Sequence, residues 1–154
     1  MAPATANLAP LLQEFVDARI GMAELFQRAQ ALLPAGSDPS AEILEWLAES
    51  EQLLRLPLSR EPLVRRLRQF ADQEIAWEEL DLWCFALEHT EALSHERPPA
   101  EPELVLLREV LSWIDAWEEA ADRPALEGVS KLADILAEEQ NPTRCLERLE
   151  DMAK

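Results

Sequence analysis

The sequence predicts an all-α fold, an antiparallel bundle of about seven or eight helices. Three observations point to it. Ala, Leu, Glu and Arg are abundant while the 154 residues hold only three glycines and no tyrosine, a composition that suits helices and starves hairpins and βαβ sheets. Apolar residues recur three and four apart along nearly the whole chain. Most of the eleven prolines fall where those stripes begin or end, the positions a helix tolerates. With 48% hydrophobic residues the chain can bury one real core, so residues 1–154 read as a single domain.

Taken in order, Leu8, Leu11, Leu12, Phe15 and Val16 form a first stripe with Pro10 in its opening turn, ending near Arg19. Gly21 breaks the pattern, and Met22, Leu25, Phe26, Ala29, Leu32 and Leu33 make a second. Residues 34–39 read as a turn, with Ser37 or Asp38 able to cap a third helix and Pro39 preset for its first position. That helix is expected over about 39–55, with Ile43, Leu44, Leu47 and Leu54 inside and Glu42, Glu45 and Glu49 outside. Ser59 is the expected cap of a fourth, whose Leu63, Leu67 and Phe70 lead to an elbow at Ile75. The fifth is expected to reach about Leu93. It is apolar nearly all round, with Trp77, Leu80, Cys84 and Leu87 on one face and Leu82, Trp83 and Phe85 on the others, which makes it the candidate centre of the fold.

The Pro-rich stretch 94–102 reads as an exposed loop. A sixth helix, about 102–121, carries two adjacent apolar strips, one through Leu107 and Ile114 and one through Val110 and Trp117, so it should touch two neighbours. Arg108, Ser112, Asp115 and Glu119 should face water. After Pro124 a seventh helix uses Leu126, Val129, Ala133 and Leu136, and Asn141-Pro142 caps and opens a last one with Leu146, Leu149 and Met152.

An internal echo runs through this order. At an offset of 55, Phe15, Asp17, Ile20, Glu24 and Leu25 match Phe70, Asp72, Ile75, Glu79 and Leu80; at 67, Ile43, Trp46 and Leu47 match Val110, Trp113 and Ile114. The chain can therefore be read as two related three-helix units, 8–56 and 60–121, followed by C-terminal helices in 124–153. Amphipathic periodicity alone also aligns leucines, and both explanations stay open.

Charge supplies the main statement about function. Thirty-one Asp and Glu against fourteen Lys and Arg give a formal net of −17, a field that repels nucleic-acid phosphate and anionic membrane and steers in a basic partner. Neither nucleic acid nor a membrane is an expected partner; the expected one is a basic protein, with the oligomeric state open between monomer and homodimer. Cys84 and Cys145 fall within apolar helical patterns and read as reduced, buried thiols. The N-terminus lacks a basic leader pattern, and no apolar run approaches the ~18 residues of a membrane span, so the expected location is cytoplasmic.

Chemical motifs are missing from the sequence. His89 and His95 lie in no metal-ligand spacing, and no P-loop, dinucleotide fingerprint or nucleophile elbow occurs. No catalytic residue, cofactor or metal is expected. Binding surfaces are more legible: Glu42, Glu45 and Glu49 beside Trp46 on the third helix, and Asp115 and Glu119 on the sixth, are the candidate partner-binding residues, carboxylates for steering with an aromatic at the rim for anchoring.

The segment 11–29, L-L-Q-E-F-V-D-A-R-I-G-M-A-E-L-F-Q-R-A, and its cousin at 67–84 resemble the opening helix pair of small bacterial immunity proteins of the colicin D type. The likeness covers some twenty residues per copy and its motif is loose. This chain is also longer than the usual member. The resemblance implies a small, acidic, helical binder of a secreted toxin, often a nuclease, and transfers no binding residue by position. Neutralising such a basic toxin is thus the expected function. The alternatives are a helical adaptor or self-associating subunit and, third, a small-ligand binder or enzyme with a pocket between the fifth and sixth helices around Trp83, Trp113 and Trp117.

Overall fold

A computed structural model describes residues 7–57, 59–93, 101–117 and 124–153 of the chain. Eight helices are present among the described residues: α1 (Ala9–Val16), α2 (Met22–Leu32), α3 (Pro39–Glu49), α4 (Glu61–Ala71), α5 (Trp77–Glu88), α6 (Pro102–Ala116), α7 (Leu126–Glu138) and α8 (Pro142–Ala153). No strand occurs among the described residues. The expected loop at 94–102, His95 and Glu119 fall outside them, apart from residues 101 and 102 at the start of α6.

Start signals act largely as the sequence suggests. The Asp38 carboxylate accepts from the Ser40 amide at 3.1 Å and Pro39 opens α3, and Asn141 Oδ1 accepts from the Arg144 amide at 3.0 Å at the head of α8. Ser59, the expected cap of α4, stands one residue too early: Arg60 occupies the cap position without a side-chain cap bond, and Ser59 Oγ accepts from the Glu61 amide at 3.3 Å. In the turn before α3 only Gly36 has a positive φ, 87°, a conformation that needs no Cβ.

Two helix ends are corrected. The third helix stops at Glu49, six residues before the expected end, because the backbone beyond it is claimed by other partners. Ser50 Oγ takes the Gln52 amide, the Leu54 amide donates to the His89 carbonyl at 3.1 Å, and the Leu54 carbonyl accepts from Glu91 at 2.9 Å. The Gln13 carboxamide closes on the backbone of Arg55 from the other side, accepting at 2.8 Å and donating at 2.9 Å. Leu54 is buried as expected, but from an extended bridge and not from a helix. The same bridge ends α5 at Glu88 instead of about Leu93, since Thr90 is the opposite half of it.

The two elbows are alike down to their hydrogen bonds. After α1, the Ala18 amide donates to Phe15 and the Arg19 amide to Glu14; after α4, Gln73 donates to Phe70 and Glu74 to Gln69. Each is a Schellman close with a left-handed residue outside glycine, Ala18 at φ 58° and Gln73 at φ 60°. The offset is again 55 residues.

The core forms around α5, which packs on α1, α4 and α6, and buries Leu80, Leu82, Trp83, Cys84, Ala86 and Leu87. Helix α4 lies along α7, while α6 touches both α5 and α8, the two neighbours its double strip requires. The C-terminal pair belongs to the core, since Val129, Ala133, Leu136, Cys145 and Leu149 are all buried. Both cysteines are free and buried.

A charged strut runs through this interior. Arg66 on α4 is 2% exposed and donates to the carbonyls of Phe15 and Ile20 at the first elbow and to Gln69 Oε1, with Glu79 of α5 at 3.5 Å. Its guanidinium also stacks 5.1 Å from the Phe15 ring centroid. Trp83 Nε1 donates to the Val16 carbonyl, and Arg65 donates to that of Ala18. The carbonyls of Val16, Ala18 and Ile20 at the first elbow are thus answered by side chains of α4 and α5, while that of Phe15 takes Arg66 in addition to the Ala18 amide. At the other end of α4, Arg60 forms a bidentate pair with Glu103 and donates to the carbonyls of Leu136, Glu139 and Gln140, closing the end of α7.

Candidate functional site

A helix that is apolar on every side needs neighbours on every side, and α5 has one sector uncovered. Asp81, Phe85 and Glu88, spaced four and three apart, share that sector, and Phe85 stands 39% exposed in it. Across the gap α3 presents Leu44, 45% exposed, where the helical pattern had placed it inside. Phe26 and Met22 of α2 and Ile114 of α6 complete an apolar floor, and the resulting groove encloses about 540 Å³.

The rim is acidic on both sides. Glu78, Asp81 and Glu88 stand on α5 and Asp115 on α6, and among the described residues no lysine or arginine lines the groove. Partial burial and the repulsion of Asp115 and Asp81 hold the Glu88 carboxyl above the ordinary carboxylate range, against the opposing pull of Arg108. Cys84 reaches the same groove, where burial first and then Glu88, Asp81 and Asp115 push its thiol well above its usual value, which favours the protonated form. The groove offers apolar contact and negative charge, with Ser40 and Trp77 as neutral polar side chains in its lining.

The residues singled out from the sequence divide between two surfaces. Asp115 is on the groove rim. Glu42, Glu45, Trp46 and Glu49 lie on the opposite flank of α3, around a smaller recess of about 280 Å³ shared with Leu8 and Leu33. There Trp46 is half-buried, its ring edge-on to His89 with centroids 5.4 Å apart. Glu119 is outside the described residues. Arg108, expected to face water, is half-buried and donates to the Leu93 carbonyl at 2.7 Å.

Sequence reasoning missed Asp81, Glu88 and Phe85, although a trace of them was present. Acidic residues seven apart on a helix otherwise apolar all round mark the side that water reaches. Leu44 carried no such mark, because its exposure depends on what packs on α3, and among the described residues nothing covers it there.

The three tryptophans expected around a pocket between α5 and α6 do not line the groove. Trp83 and Trp117 are buried and Trp113 is half-buried. His89 directs Nε2 to the Gln52 carbonyl at 3.1 Å. Among the described residues no group of three or more His, Cys, Asp or Glu could hold a metal ion, and no helix is long and apolar enough to cross a membrane. Comparison of the chain with protein-family models, with curated proteins and with solved structures gives no significant match.

Proposed function

We propose that the chain is a non-enzymatic, acidic helical module that binds a basic protein, and that it serves as an inhibitor of the immunity type, covering the substrate cleft of a basic toxin or nuclease. One observation carries the reading: an open apolar groove whose rim, among the described residues, holds four carboxylates and no lysine or arginine. Partial burial and the neighbouring Asp115 and Asp81 carboxylates raise the Glu88 pKa, and a docking cation offsets that crowding of negative charge while the apolar floor contributes affinity. The net charge of −17 supports it by steering a basic partner from a distance, and the resemblance of 11–29 and 67–84 to immunity proteins points the same way.

The test is kinetic. A panel of small basic nuclease domains is passed over the immobilised chain at about 20 mM and about 150 mM salt, and their nuclease activity is assayed with and without it. The reading expects at least one member to bind with an association rate that falls steeply with salt and to lose activity when bound. Absence of binding across the panel at low salt contradicts it.

A further inference from the structure

Resting on that reading of the groove, we infer that its occupant is a single amphipathic α-helix of the basic partner, about three turns long, laid along α5 with its apolar stripe on Phe85 and Leu44 and its Lys or Arg residues against Asp81, Glu88 and Asp115.

Dimensions come first. The rim carboxylates on α5 run from Glu78 to Glu88, about 15 Å at the helical rise, which matches about three turns of a facing helix. The floor is continuous apolar surface contributed by four helices, a shape that suits a ridge of side chains better than a compact polar ligand. Backbone chemistry then selects the kind of segment. An extended peptide would bring unpaired amides and carbonyls onto that floor, and the helices around it present no strand edge to pair with them. A helix arrives with its backbone already satisfied.

Charge selects the composition. Carboxylates stand on both walls, on α5 and on α6, so cations are wanted along both edges of an apolar stripe. A second copy of this chain is the wrong occupant, because a molecule of net charge −17 would bring further negative charge to an acidic rim. The fold also contains the arrangement in cis. Helix α8, with Cys145 and Leu149 buried, lies along α6 as an added helix, whereas α3 packs on α2 and has no comparable helix along it among the described residues.

The test uses synthetic peptides and the intact chain. An amidated peptide of about fourteen residues, with leucine on one helical face and lysine on the rest, is titrated calorimetrically and by circular dichroism alongside a scrambled peptide of the same composition. The expected result is at least about tenfold tighter binding of the amphipathic peptide, with helix formed on binding. Leu44→Glu and Phe85→Glu, at partly exposed positions, should each weaken it by about tenfold or more, and Glu88→Lys should do so without touching the floor. Glu45→Gln with Glu49→Gln, on the other flank of α3, should leave it nearly unchanged. Equal binding of the two peptides, or insensitivity to Leu44, Phe85 and Glu88, overturns the helix while leaving recognition of basic proteins standing. If neither peptide binds, the helix inference is overturned, and the nuclease panel then shows separately whether the broader reading fails too.

Discussion

Arg66 and Glu88 show two charges in opposite settings, one held by acceptors and one beside like charges with Arg108 opposing them. Arg66 is desolvated, which lowers its pKa despite Glu79 nearby, yet it is held by two carbonyls and Gln69. Replacing it by methionine strands the Ile20 carbonyl, takes one of two donors from that of Phe15 and removes the cation beside Glu79, so Arg66→Met should cost about 3 to 5 kcal/mol in urea unfolding. A change below about 1 kcal/mol would mean that the strut carries no load. Glu88 is the reverse case. Its carboxyl is raised in the folded state, so between its unfolded and folded pKa values the native chain binds more protons than the unfolded one, and stability falls as pH rises through that window. Glu88→Gln should therefore raise the melting temperature at neutral pH and flatten its dependence on pH from about 4 to 7; a lower melting temperature at neutral pH would contradict the repulsion assigned to it. Neither residue was legible in the sequence. Arg66 sits in an R-R pair on an amphipathic helix, and only the position of the first elbow, far away in the chain, decides that it points inward.

At the scale of elements, the elbows, stripes and caps were readable and the ends were not. Phe15-Asp17-Ile20 and Phe70-Asp72-Ile75 announced two similar turns because the turn is a local structure whose hydrogen bonds span six residues. The ends of α3 and α5 were misread because Leu54 and Thr90 meet across 36 positions of chain, and that bridge competes with the helical bonds that periodicity counts. The elbows also yield a test. Gln73 is exposed and left-handed, a strain of about 1 to 2 kcal/mol that glycine removes at an entropic cost of about 0.5 to 1 kcal/mol, so Gln73→Gly should stabilise by up to about 1 kcal/mol. Marked destabilisation in thermal unfolding would mean that residue 73 is not left-handed in solution.

The whole molecule combines a closed core with an unusually one-sided surface charge. Fold class followed from composition and period because every helix needs a buried stripe, whereas the groove depends on how α2, α3, α5 and α6 are spaced, and no single stretch of sequence records that spacing. Self-repulsion at a net charge of −17 should make the free chain more stable in salt, with the melting temperature rising between about 10 mM and 500 mM sodium chloride. Binding of a basic helix should weaken over the same range. The central claim is that the negative field and the apolar groove between α2, α3, α5 and α6 form one docking surface. Its most direct measurement is a chemical-shift titration of the isotope-labelled chain with the amphipathic lysine–leucine peptide. Shifts concentrated at Phe26, Leu44, Asp81, Phe85, Glu88 and Asp115 are the predicted result, and shifts centred on Glu42, Glu45 and Glu49 or spread evenly over the acidic surface would contradict it.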